Sequence, residues 1–183
     1  MSPVTHFFIG WLIANAVKIE QRDRAFVTIA GVVPDIDGLT FIADLVSRNG
    51  DWYGEYHHVL AHNIMLAFLV TLCGFMYAKR RLVTALLIFV SFHLHLLGDI
   101  AGSRGSDGYQ WPIAYLWPFS NSLQLTWEGQ WLLNAWQNIA ITAIVFCLLL
   151  FLAWKRGYSP LEMISAKADR TFVEILRSIF VVK

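Results

Sequence analysis

Ile139-Ala-Ile-Thr-Ala-Ile-Val-Phe-Cys-Leu-Leu-Leu-Phe-Leu-Ala153 is an apolar run interrupted only by the hydroxyl of Thr142. Extended to Trp131 and Trp154 it covers about 24 residues, and at roughly 1.5 Å per helical residue that length crosses a bilayer. The whole chain agrees with this run. It is 57% hydrophobic and 15% charged, where soluble domains carry about 25% charged residues. The expected fold class is therefore an all-α integral membrane helical bundle.

Two more segments approach a span. Ile64 to Ala78 is almost wholly apolar, and Leu82 to Leu97 is apolar until His93 and His95. Each falls short of the roughly 20 residues a full span needs. Phe7 to Val17 and Ala25 to Val33 are shorter still, and they read as a helical hairpin packed against the other three. Pro34 is expected to end the second piece, because it restricts Val33 and lacks a backbone donor. Residues 1–158 form the membrane-embedded domain in this reading.

Residues 159–183 differ in kind. Ser159-Pro160-Leu161-Glu162 has the pattern of a capping box with proline at the first helical position. Beyond it Leu161, Ile164, Ala168, Phe172, Ile175, Leu176 and Ile179 recur at helical spacing, with Lys167, Asp169, Arg170, Glu174 and Arg177 between them. That pattern predicts an amphipathic C-terminal helix, lying on lipid or capping the bundle. Ala43 to Tyr56 and Ala101 to Gln130 read as loops.

Several classes are excluded. A net charge of +1 leaves no nucleic-acid footprint. Cys73 and Cys147 lie in apolar runs, without zinc-ribbon or disulfide spacing, and are expected to be buried and inert. The apolar stretch from Phe7 lacks a preceding basic region, so it reads as part of the mature fold rather than a signal peptide. No P-loop, serine triad or Gly-rich dinucleotide turn is present.

The histidines are few and grouped: His6, then His57, His58 and His62, then His93 and His95 ahead of Asp99. Imidazole and carboxylate are costly in an apolar chain unless paired, metal-bound or in a wet cavity. His95 and Asp99 are one helical turn apart and can face one ion. His58 and His62 share that spacing, whereas His57 and His62 meet only if His57 sits in a loop. Pro34-Asp35-Ile36-Asp37-Gly38 adds two carboxylates in a turn. Nitrogen and oxygen donors without thiolate suit zinc, with manganese or iron as alternatives.

Charge placement gives an orientation. Lys18, Arg22 and Arg24, then Lys79, Arg80 and Arg81, then Lys155 and Arg156 fall between or after the apolar segments. If the chain crosses at each segment, these clusters share one side, which the positive-inside rule makes cytoplasmic. The histidines and aspartates then lie at the periplasmic face of a multi-pass inner-membrane protein. Trp52, Trp111, Trp117, Trp127 and Trp131 fall on that face too, as an interfacial aromatic belt would.

Thr5-His6, Gly31-Val-Val-Pro34-Asp35-Ile36-Asp37, His57-x4-His62 and His95-x3-Asp99, in this order, resemble the bacterial membrane-bound metal-dependent hydrolase family. That family has a distant similarity to the zinc-dependent phospholipases C. The resemblance covers about residues 1 to 120. It implies His6, Asp35, His57, His62, His95 and Asp99 as ligands, and Asp37 as a further ligand or general base. It also prefers His57 over His58. The family's second motif usually reads His-Arg-x-x-Thr-His-Ser. Here His58 replaces the arginine, a natural phosphate contact, Ala61 the threonine and Asn63 the serine.

The expected function is a membrane-bound metal-dependent hydrolase acting on a phosphoester or phospholipid through metal-activated water, with membrane lipids as partners. One rival is a structural protein in which the ion merely ties helix ends together. A permease ranks lower, because the polar residues of the longest segment, Asn134, Gln137, Asn138 and Thr142, crowd its outer half.

Overall fold

The computed structural model describes residues 1–47 and 50–179. Helices α1 (Pro3–Ala14) and α2 (Gln21–Ala30) lead into a 3-10 stretch (Val33–Leu39), α3 (Thr40–Val46) and α4 (Trp52–Tyr56). Helices α5 (Ile64–Tyr77), α6 (Arg81–Gly102) and α7 (Trp136–Arg156) follow, then a 3-10 turn (Pro160–Met163) and α8 (Ala166–Ile179). Among the described residues the sheet content is one antiparallel pair, β1 (Ile113–Ala114) with β2 (Gln124–Leu125). The fold is all-α, as its composition predicts.

Helices α6 and α7, with 22 and 21 residues, are long and apolar enough to cross a membrane. Helix α2 and the segment Val33–Val46 pass the same test together but bend by 49°, as a broken span or re-entrant loop would. Helix α7 buries only Asn138, Leu149 and Ala153. Ile139, Ile144 and Phe151 stay more than half exposed. An apolar face of that extent suits contact with lipid.

Helix α6 outruns the apolar segment Leu82 to Leu97 and carries His95 and Asp99 one turn apart, as their spacing predicts, before ending at Gly102. Helix α7 starts later than expected, at Trp136 rather than Trp131. The Asn138 amide donates to Gly102 O (2.7 Å) and Leu133 O (2.8 Å), and its Oδ1 accepts from Trp131 Nε1 (2.9 Å). These bonds hold residues 131–135 in a turn against the end of α6.

The expected hairpin of α1 and α2 is present, and it is held close by small residues. A Cβ on Gly10 would lie 2.8 Å from Thr28 O, and one on Gly31 3.1 Å from His6 O. Helix α2 has already ended at Ala30, and Pro34 opens the 3-10 stretch instead of stopping a helix.

The three basic clusters meet at one end of the bundle. Asp23 accepts from Lys79 N (3.0 Å), Arg80 N (2.9 Å) and Thr84 Oγ1 (3.0 Å), which replaces the cap that α6 lacks. Arg80 donates to Lys18 O (2.7 Å) and Arg156 to Asn15 O (2.8 Å). Arg24 pairs with both oxygens of Glu162 (2.7 and 2.6 Å) over the Tyr158 ring.

The C-terminal helix caps this end. Phe172 and Leu176 pack on Trp11, Leu149 and Ala153. The expected capping box does not form, because Arg24 takes the Glu162 carboxylate and the Ser159 N–H goes to Asp169 Oδ1 (2.6 Å). Ser159 instead caps the 3-10 turn, and α8 begins at Ala166. The part of the predicted helix beyond Ile179 lies outside the described residues.

Three further expectations change. Cys73 and Cys147 are exposed rather than buried, on the outward faces of α5 and α7. Ala43 to Tyr56 is not all loop, since Asp44 accepts from Trp52 N (2.6 Å) and Tyr53 N (2.9 Å) and so ties α4 to α3; residues 48–49 within it are outside the described residues. The long loop after α6 carries β1, where Ile113 packs with Ala67, Phe92 and Leu96.

Candidate metal centre

The end of the bundle opposite the basic clusters gathers five histidines and three aspartates from four parts of the chain. Helix α6 supplies His95 and Asp99, one turn apart, and α1 supplies His6. The 3-10 stretch supplies Asp35 and Asp37. At three residues per turn these two point roughly two-thirds of a turn apart, so they serve different neighbours. His57, His58 and His62 lie in a non-helical run, because Asn63 caps α5 by accepting from Leu66 N (2.9 Å). The helix-spacing argument for His58 with His62 therefore does not apply.

Asp35, His62, His95 and Asp99 each place one donor atom within 4.8 Å of all the others. His62 Nε2 and His95 Nε2 are 3.1 Å apart. Asp99 Oδ2 lies 2.9 Å from His95 Nε2 and 3.3 Å from His62 Nε2, and Asp35 Oδ1 lies 3.7 Å from His95 Nε2. Ligands held about 2.0–2.1 Å from one tetrahedral ion stand about 3.3 Å from each other, so these separations fit a zinc-sized ion.

The hydrogen bonds outside this group fix the chemistry inside it. A carbonyl only accepts, so His95 Nδ1 donates to Gly31 O (2.8 Å). His62 Nδ1 donates to Asp37 Oδ2 (2.8 Å). Both imidazoles therefore aim Nε2 at Asp35 and Asp99, and neutral imidazoles present lone pairs there. Oδ2 of Asp35 and Oδ2 of Asp99 are buried without a hydrogen-bond partner. Four converging acceptors in a buried site require a cation or a proton among them. Burial would lower the pKa of His62, yet its hydrogen bonds to Asp37 and Asp99 hold it up at about 9. At neutral pH that nitrogen therefore carries a proton, which a divalent cation attracted by the same carboxylates would displace.

The other candidate residues stand one step out. His6 Nε2 is 3.1 Å from Asp99 Oδ1, which also accepts from the Met1 ammonium, and the His6 ring stacks on His95 at 3.7 Å. His57 is outside the four-atom group: its Nδ1 bonds Asp37 Oδ1 (2.9 Å) and its ring stacks on Tyr53. Asp37 also accepts from Ala61 N (3.2 Å), so both of its oxygens are engaged in positioning the His57–His62 run. His93 points elsewhere, to Phe89 O and Tyr115 Oη.

Residue spacing paired His58 with His62 and the resemblance preferred His57; it is His58 that the structure turns toward the ligand group. His58 is 2% exposed and sits at φ 67°, a left-handed conformation that costs energy for any residue with a Cβ. Its Nδ1 faces Trp111 O at 3.3 Å and its Nε2 lies 3.9 Å from Asp99 Oδ2. Burial first, then the neighbouring His62, pulls its pKa down to about 3. His58 is therefore neutral at neutral pH and turns a lone pair toward the site. Gly31 O was invisible to sequence reasoning, since a backbone carbonyl carries no residue-type signal.

The loop after α6 staples the site. Gln130 Nε2 donates to Asp99 O (2.8 Å), Ser103 Oγ donates to the same carbonyl (2.7 Å), and Trp131 N donates to Ala101 O (2.9 Å). A cavity of about 1140 Å³ opens beside the centre, with Asp35, His57, His58 and Asp99 in its wall.

Fold and site together define a helical membrane protein with a buried histidine–aspartate centre fit to hold a divalent metal. The chain belongs to the YdjM inner membrane protein family, whose family model matches residues 1–179. That description speaks to location in the inner membrane and names neither a hydrolase nor a phospholipase C. No curated protein and no solved structure matches the chain.

Proposed function

We propose that the protein is a membrane-bound hydrolase that depends on a divalent metal, with zinc favoured and manganese or iron as alternatives, and that its substrate is a phosphoester. The observation that supports this reading is the convergence of four acceptor atoms within 4.8 Å beside an accessible cavity. Asp35, His62, His95 and Asp99 hold the ion. A divalent ion supplies Lewis acidity toward a water and a phosphoryl oxygen. Asp37 fixes the His62 tautomer, Gly31 O fixes that of His95, and His6 steadies Asp99. With both oxygens occupied, Asp37 is a positioning residue in this proposal rather than a general base. His58 and Asp35 face the cavity and meet the substrate side of the centre.

The test is elemental mass spectrometry of detergent-purified protein, followed by hydrolysis of bis(4-nitrophenyl) phosphate. Bound zinc with turnover that chelation abolishes and zinc restores is the expected result. Zinc without turnover on any phosphoester, together with unfolding on chelation, would favour the rival in which the ion only ties helix ends together. No zinc, manganese or iron in wild-type protein would end both readings.

The proposal includes a direction. The basic end faces the cytoplasm and the metal centre the periplasm of a multi-pass protein, by the positive-inside rule. In a variant lacking Cys73 and Cys147, Ser106→Cys should react with an impermeant maleimide in spheroplasts, whereas Lys79→Cys should react only after lysis. The reverse pattern would overturn the orientation.

A further inference from the structure

We infer that the cavity beside the metal centre binds an anionic amphiphile: a phosphate ester whose charged group lies between the centre and Arg104 and whose hydrocarbon chain lies along α7. The inference rests on the metal-centre reading, because Asp35 and Asp99 attract an anion only when a cation sits between them.

Arg104 carries the charge argument. It follows α6 directly, and its backbone is pinned by hydrogen bonds to Trp131 O (3.1 Å) and from Leu133 N (3.0 Å). Its side chain lines the same cavity as Asp35 and Asp99. One nitrogen donates to Glu128 O (2.7 Å), but Nε is buried without a hydrogen-bond partner. Among the described residues, the Lys and Arg side chains paired with carboxylates are Arg24 with Glu162 and Lys79 with Glu20. Arg104 thus brings an uncompensated guanidinium to the cavity, where a fork of donors matches phosphate oxygens.

The rest of the cavity is mainly apolar, with Ser2, Ser106 and Asn134 among its polar lining. Ile139, Ala143 and Phe146 on one face of α7 are opposed by Phe8, Leu39 and Phe41. Thr142 falls on the same wall, but its hydroxyl is taken by Thr5 Oγ1 (2.6 Å) and Asn138 O (2.7 Å), so it offers the cavity no free polar group. From Ile139 to Phe146 this wall runs about 10 Å along the helix, toward the middle of the apolar segment. A small water-soluble phosphate has no use for such a wall, whereas an alkyl chain packs along it and leaves water itself.

The experiment uses zinc-loaded, full-length protein in maltoside micelles and a diazirine-tagged dodecylphosphonate, which cannot be hydrolysed at its P–C bond. Photocrosslinks should map to α1 and to 139–146. Untagged dodecylphosphonate should compete at least about tenfold better than butylphosphonate, as burial of several methylenes requires. It should also compete at least about tenfold better than dodecanol, the effect of one or more charge-assisted hydrogen bonds. Arg104→Gln should weaken binding while Arg104→Lys retains part of it, and Ala143→Trp should lower the preference for the long chain. Equal competition by butylphosphonate or by dodecanol would overturn the inference on wild-type protein alone, whatever the variants do. Binding as described with no hydrolysis of any phosphoester would keep this inference and end the hydrolase reading. Hydrolysis of a short ester without chain preference would do the opposite.

Discussion

Asp99→Asn protein should reach the membrane and purify at wild-type yield, yet bind zinc at least about 100-fold more weakly, a larger loss than the roughly 10–100-fold typical of an outer hydrogen-bonding partner. The substitution keeps the shape, and the amide oxygen can still accept from His6 Nε2. What changes is the atom facing His62 Nε2 (3.3 Å) and His95 Nε2 (2.9 Å). An amide nitrogen there donates to those two lone pairs, filling the place of the cation with its own hydrogens. One negative charge also leaves a group of two carboxylates. Elemental mass spectrometry after dialysis against a weak chelator, beside size-exclusion chromatography, reads both arms. Full zinc stoichiometry in the variant would remove Asp99 from the ligand set.

The bundle was legible where side chains follow a single rule. The apolar run of α7 and the spacing in α8 gave those elements directly. Hydropathy alone stops α6 near Leu97, and only the one-turn spacing of His95 and Asp99 carried the helix further, to residues that the folded chain satisfies against one another. The capping box at Ser159 misled because a local pattern lost its partners to Arg24, 138 residues from Glu162, and to Asp169, 10 residues from Ser159.

The site was legible as a set of residues but not as an arrangement. Grouped histidines in an apolar chain, with the three basic clusters kept to the opposite connections, announced a shared end. The geometry there depends on a 3-10 stretch that parts Asp35 from Asp37 and on a left-handed His58. Neither has a sequence signature, because any residue type can enter a 3-10 turn and a histidine at positive φ is held there by its surroundings. His57 and His58 are adjacent and chemically alike, so only the backbone distinguishes the one held by Asp37 from the one turned toward Asp99.

That arrangement makes Asp37→Asn the second decisive substitution. Asp37 accepts from His62 Nδ1 (2.8 Å), His57 Nδ1 (2.9 Å) and Ala61 N (3.2 Å). An asparagine has one acceptor oxygen, so either His57 or His62 must face an amide N–H. Where His62 does, its Nδ1 becomes the lone pair and its proton moves to Nε2, pointing into the ligand group. The imidazole then has the wrong tautomer for a metal, the same logic by which a carboxylate fixes a catalytic histidine. Zinc affinity should fall about 10–100-fold, and NMR of the imidazole nitrogens should show the His62 proton moved from Nδ1 to Nε2. A merely structural role would lower thermal stability without moving that proton. If Asp37 instead acted as a general base, zinc affinity would stay at the wild-type value while turnover collapsed. Competition titration with a chromogenic chelator separates the two.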